Sequence, residues 1–155
     1  MSNKLKTCFL LPMLLTILSL MWGCGSGSSI EAPVTSVAFS DGSSVSIVPA
    51  GNGKYVLQGN NLNGVGGIDV DADYDSSAMA SPTVTQGDFF SGALFAFNAT
   101  TPGVIRIAAV STTPYSGSGP IATFSFATID SGLLPSLSLK SVEMIDTDGK
   151  KVQQL

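Results

Sequence analysis

The sequence of 155 residues contains no histidine, which removes the commonest general base and the commonest zinc ligand. Its two cysteines, Cys8 and Cys24, both fall in the first 24 residues. No disulfide framework can staple the remainder, so a domain there has to stand on its hydrophobic core. Charge is scarce as well: 12% of residues are charged, against roughly a quarter in an average globular chain. Beyond Gly23, five basic residues (Lys54, Arg106, Lys140, Lys150, Lys151) stand against eleven acidic ones, a net charge of −6. That balance disfavours nucleic acid as a partner. The single tryptophan is Trp22, and no segment carries apolar residues at helical spacing.

What remains is a succession of short β-rich runs. They cover 34–39, 45–48, 54–58, 67–74, 83–85, 93–97, 104–110, 121–129 and 137–145. Breakers recur between them at short intervals: Asn60-Asn61, Pro102-Gly103 and Ser116-Gly117-Ser118-Gly119-Pro120. Nine such runs, 44% hydrophobic residues and no helix pattern predict an all-β, antiparallel sandwich in one domain. Within the runs, alternation assigns faces. Ile105 and Ile107 point opposite to Arg106, and Phe124 shares a face with Phe126, so these four apolar residues are expected in the core. Val142 and Met144 fall out of phase with Leu137 and Leu139, which predicts a bulge or bend near Ser141.

The most informative stretch is VGGIDVDADYD at 65–75. On a strand, Ile68, Val70, Ala72 and Tyr74 share one face while Asp69, Asp71, Asp73 and Asp75 share the other. Four like charges at a repeat of roughly 7 Å repel one another. A fold with no use for them gains by exchanging some for Thr or Lys, so this row is the first candidate for function.

The N-terminus reads as a targeting segment. Lys4 and Lys6 precede an apolar run from 9 to 22, interrupted by Pro12, Thr16 and Ser19 and shorter than a membrane-spanning helix needs. The run ends in Leu20-Met21-Trp22-Gly23-Cys24 followed by GSGSS. This resembles a bacterial lipoprotein signal with Cys24 as the lipidated residue, although Met21 and Trp22 depart from the usual pattern; an ordinary secretory signal or an uncleaved anchor is the other reading. The expected organisation is a signal peptide at 1–23, a lipidated Cys and flexible tether at 24–33, and a domain at 34–155, secreted and held at the cell envelope.

In order along that domain stand SIVPA at 46–50, Gly67-Ile68-Asp69 running into Tyr74-Asp75, GDFF at 87–90, GVIRI at 103–107, SGPIATFSF at 118–126 and DTDG at 146–149. This order of pieces is similar to that of cohesins, the β-sandwich modules that bind dockerins. Ser76 and Met79 stand where family members usually carry Pro and Leu, and the segment between Pro49 and Gly64 is short. The resemblance implies an antiparallel jelly-roll sandwich of about nine strands, a fold shared with several carbohydrate-binding modules. It also implies that the sheet holding 67–74 is a flat partner-binding face, with Asp69 at the position of a family Asp. The resemblance further implies a dockerin-like module of another secreted protein as the partner, with polysaccharide degradation as the setting, and it requires no cofactor.

On this reading Asp69, Asp71 and Asp73 steer and register a basic partner, and Arg106, outward on a strand of the same sheet, is placed to pair with one of them. The alternative is a solvated face kept soluble by its charge. Asp146-Thr147-Asp148-Gly149 begins like a calcium loop, but Lys150 and Lys151 occupy the places of later oxygen ligands, and a plain Asp-Gly turn accounts for it better. Enzymatic readings are weak. A row of carboxylates on an open sheet offers no cleft and no means of separating two pKa values, and the Ser and Thr residues lack a His base. The alternative function is a carbohydrate-binding module docking on polysaccharide, for which Tyr55 and Tyr115 are the stacking candidates; a structural lipoprotein without a specific ligand is the third.

Overall fold

Two long strands organise the molecule, because each carries two of the β-rich runs and passes from one sheet to the other between them. The computed structural model describes residues 33–128 and 136–155. Its elements are β1 (Ser36–Ala38), β2 (Ser44–Gly51), β3 (Lys54–Tyr74), β4 (Met79–Gln86), a 3₁₀ turn (Asp88–Phe90), β5 (Leu94–Asn98), β6 (Val104–Thr128) and β7 (Leu137–Asp146). The runs 54–58 and 67–74 are both in β3, and 104–110 and the run 121–129, up to its last described residue 128, are both in β6. Nine expected runs thus become seven continuous strands, two of them bent. The segments expected to be a signal at 1–23 and a lipidated Cys24 with its tether lie, up to residue 32, outside the described residues.

All pairing is antiparallel. The first part of β3 pairs with β2 and with the second part of β6, and β4 lies beyond that part of β6. The second part of β3 pairs with the first part of β6 on one side and with β7 on the other, and β5 lies beyond β6. One layer is therefore β1-β2-β3-β6-β4 and the other β5-β6-β3-β7, with β3 and β6 common to both. The bends sit where the sequence tolerates a left-handed backbone: Asn61 has φ 50° and Gly117 φ 116°, conformations open to Asn and Gly and costly for most other residues. At the bends ladder bonds are replaced by side chains, as Asn61 N–H donates to Ser118 Oγ at 2.9 Å and Gly64 N–H to Ser116 Oγ at 2.9 Å.

Between the layers lies one core. Phe39, Leu57, Phe90, Ile105, Ile121 and Phe124 are fully buried there, with Val70, Val142 and Met144 at 0% exposure. The expected inward residues Ile105, Ile107, Phe124 and Phe126 all belong to it. The out-of-phase pattern in β7 is resolved by a register shift: Asp71 pairs with Ser141 but Ala72 with Leu139, which leaves Lys140 as the extra residue of a bulge.

Candidate functional site: the outer face of β5-β6-β3-β7

Burial divides β3 as alternation requires. Ile68, Val70, Ala72 and Tyr74 are between 0% and 9% exposed, while Asp69 is exposed and Asp71 and Asp73 are half-buried on the opposite face. Residues directly opposite in an antiparallel pair share a face, so the register reconstructs this surface row by row. Asn98, Arg106, Asp71 and Ser141 form one row across the four strands; Ala96, Ala108, Asp69 and Glu143 form the next; Leu94, Val110, Gly67 and Ile145 form a third. Beyond the first of these, Val104, Asp73 and Ser138 continue the face across three strands.

Asp75 departs from the expected row of four. β3 ends at Tyr74, and the Asp75 carboxylate turns back on its own chain, accepting from Ser77 N–H at 2.9 Å and Ser77 Oγ–H at 2.6 Å. These bonds, the side-chain one first, hold its pKa below the ordinary carboxylate value. It caps a turn rather than extending the face.

The three strand carboxylates are not equivalent. Asp71 is paired with Arg106, Nε to Oδ1 3.3 Å, and Asp73 sits 3.8 Å from Lys140 Nζ. The adjacent Glu143 is bound by Lys151 at 2.7 Å. Asp69 has no ion-pair or hydrogen-bond partner among the described residues, and it stands opposite Glu143, a like-charge arrangement that costs stability. The pairing expected of Arg106 is thus found, with Asp71, and the centre of the face keeps one uncompensated negative charge.

Next to this charge the surface turns apolar. Leu94 is 73% exposed and Val110 48%, and with Ile145 and Gly66 they line an open depression of about 570 Å³ that Asp146 and Thr147 close at one side. Glycine at 66 is what lets the loop after β7 sit here: a Cβ on Gly66 would lie 2.9 Å from Asp146 O and from the backbone of Thr147. Sequence reasoning missed this apolar end. Its signal was the unalternating Leu94-Phe95-Ala96-Phe97, four hydrophobic residues of which only half can face a core.

The remaining candidates are placed as follows. Asp146 Oδ1 accepts from the N–H groups of Asp148 at 2.9 Å and Lys150 at 2.8 Å, so this oxygen is committed to its own turn. Among the described residues no three His, Cys, Asp or Glu side chains converge as a metal site would require. Tyr55 is half-buried and meets Phe126 edge-on, ring centroids 6.0 Å apart. Tyr115 packs on Phe90 at 4.7 Å and Phe89 at 5.9 Å, and its hydroxyl donates to Ser91 O at 2.7 Å. Both rings are engaged with neighbouring aromatics, and neither lies in the rows of the four-stranded face.

Comparison with solved structures places this arrangement among the cohesins by fold. A non-cellulosomal cohesin from the hyperthermophilic archaeon Archaeoglobus fulgidus superposes with a TM-score of 0.57 at 22% identity, over 64% of this chain and 71% of that one. The cohesin–dockerin complex Coh-OlpC–Doc435 from Clostridium thermocellum gives a TM-score of 0.57 at 17% identity, over 64% and 76%. The second type II cohesin module of the adaptor scaffoldin ScaA from Acetivibrio cellulolyticus gives 0.55 at 12%, over 67% and 82%. No family model and no curated protein sequence matches the chain. The fold is therefore that of a cohesin β-sandwich, and the likeness is one of structure far more than of sequence.

Proposed function

We propose that residues 34–155 are a non-catalytic, cohesin-like adaptor that binds a dockerin-like module of another secreted protein through the β5-β6-β3-β7 face. In this proposal the chain is secreted, with residues 1–23 as signal, residues 24–33 as tether and Cys24 carrying a lipid that holds it at the cell envelope. Polysaccharide degradation is the setting the reading favours. The observation that carries it is the uncompensated Asp69 at the middle of a broad exposed face, with exposed Leu94 and Val110 beside it. An exposed apolar area next to a charged one lets an interface draw affinity from the first and steering from the second, and a partner cation set against Asp69 would relieve its repulsion with Glu143. The solved complex in which a cohesin of this fold holds a dockerin supports the class of partner.

Binding through the face also explains why its acids are only partly neutralised. Arg106 and Lys140 stand beside Asp71 and Asp73 and offset part of their charge, while Asp69 stays open to an incoming donor. The test is a pull-down of the native secretome with the chain, followed by calorimetry on the recovered protein. Binding that weakens with salt and with Asp69→Asn supports the reading. Recovery of glycan alone, or protein binding indifferent to Asp69→Asn at low salt, contradicts it.

A further inference from the structure

A sandwich of this kind has strand edges that must be closed or guarded, since unpaired backbone N–H and C=O groups template pairing with another chain. Most edges here are guarded. β4 carries Pro82, which has no N–H to offer, beside Ser81 at φ 49° and a register shift. β7 is covered by Val34 O, which accepts from Leu139 N–H at 2.7 Å, and by Val152 N–H, which donates to Met144 O at 2.9 Å. β1 is tied to the C-terminal residues through Leu155 N–H to Ala38 O at 3.1 Å. β5 is the exception. It pairs with β6 over five consecutive residues without a shift, and no described element covers its other edge.

The sequence of that edge, Leu94-Phe95-Ala96-Phe97-Asn98, holds no charge and no proline, and Leu94 and Phe97 are 73% and 48% exposed. It is also close to symmetric about Ala96. We infer that β5 pairs antiparallel with β5 of a second copy of this chain, about a two-fold axis through Ala96. In that register Phe95 of one copy stands opposite Phe97 of the other on the core side, Leu94 opposite Asn98 on the outer side, and Ala96 opposite Ala96. An aromatic pair on each side of the axis is the favourable cross-strand combination. Two-fold closure consumes the edge, so the assembly stops at two.

Charge does not oppose it. The Asp69 rows of the two copies lie five strand spacings apart, about 24 Å, well beyond the roughly 8 Å over which exposed charges act at physiological salt. Five residues make a small seam, so the dimer is weak and concentration-dependent. Its consequence is one continuous eight-stranded sheet that sets two copies of the outer face side by side.

Disulfide trapping in the full-length chain tests the register. Residues directly opposite in an antiparallel pair have Cα atoms about 4.5–5.5 Å apart, within disulfide reach, whereas the two copies of residue 94 would be about 14 Å apart. Under mild oxidation Ala96→Cys is expected to give at least about ten times the linked dimer of the wild type, which carries the same Cys8 and Cys24, while Leu94→Cys and Thr85→Cys on β4 stay at the wild-type level. Adding Leu94→Lys to Ala96→Cys, a charge of the kind that guards natural edges, should cut the linked dimer at least about fivefold with the melting curve unchanged. Ala96→Cys no better linked than wild type, equal linking at Leu94→Cys or Thr85→Cys, or linking untouched by Leu94→Lys would each overturn the pairing.

Discussion

The two outer faces of the sandwich are made in large part by the same two strands, yet their chemistry differs. On the β1-β2-β3-β6-β4 layer the first part of β3 presents Val56, Gln58 and Asn60, flanked by Ser44, Ser46 and Val48 of β2 and by Thr123 and Ser125 of β6, with Thr83 and Thr85 of β4 beyond. Hydroxyls and amides fill it, Asn60 reaching Ser44 and Ser46 at 3.4 Å, and none of these residues is acidic. On the other layer the second part of β3 presents Asp69, Asp71 and Asp73. The hydroxyl face shows what this fold needs from an outward surface, namely β-formers that tolerate water. Exposed apolar residues occur on both faces, Val48 at 46% on the first and Val110 at 48% on the second, so it is the carboxylates that are additional, and that excess points to a use for the second face.

The largest effect should fall on what the two faces share. Phe124 is at 0% exposure between the layers, so Phe124→Ala should cost about 3–5 kcal/mol in denaturant unfolding. A loss below about 1 kcal/mol would mean that the layers do not close on it. Next comes the contrast itself. Asp69→Asn together with Asp71→Asn should slow association with the partner severalfold at low salt, while stability changes by less than about 1 kcal/mol because the relieved Asp69–Glu143 repulsion and the lost Asp71–Arg106 pair oppose each other. Ser46→Asp with Thr123→Asp on the hydroxyl face should leave association nearly untouched.

Smaller effects sharpen the difference between a carboxylate committed to its own chain and one left open. Hydrogen bonds from Ser77 lower the folded pKa of Asp75, so its ionised form is the one that stabilises the turn. That contribution is present above the unfolded carboxylate value and is lost as pH falls through the lowered folded value. The stability difference between wild type and Asp75→Asn should therefore be complete near neutrality and close in that acidic window, as read by thermal melts across pH. Smallest of all, Arg106→Ala removes an ion pair whose arginine is 69% exposed, and its cost should stay under about 1 kcal/mol.

Much of this was legible in the sequence because period-two alternation is a local signal. Ile68 to Tyr74 against Asp69 to Asp73, Ile107 against Arg106, and the phase slip before Val142 were all readable from neighbours two residues apart. What was not legible depends on the backbone leaving the strand or on partners distant in sequence. Asp75 continues the alternation on paper, but the strand ends at Tyr74 and a local Ser77 cap takes its carboxylate. The unity of 54–74 was hidden because Asn60-Asn61 reads as a break, whereas Ser116 and Ser118 on β6 satisfy the bent backbone. β4 extends beyond the run 83–85 because Met79 and Ala80 pair with Thr128 and Ala127 across a shift, despite Pro82. The apolar end of the face needed three strands at once, since Leu94, Val110 and Ile145 are neighbours only through register.

The central claim, that the carboxylate face and not the hydroxyl face receives the partner, is tested most directly by measuring the partner's association rate at two ionic strengths. Wild type, the Asp69→Asn/Asp71→Asn variant and the Ser46→Asp/Thr123→Asp variant would be compared. The account predicts that only the first variant associates more slowly at low salt, and that its rate depends less on salt than the wild type's does. Equal rates and equal salt dependence for wild type and the Asp69→Asn/Asp71→Asn variant, or a loss confined to the hydroxyl-face variant, would contradict it.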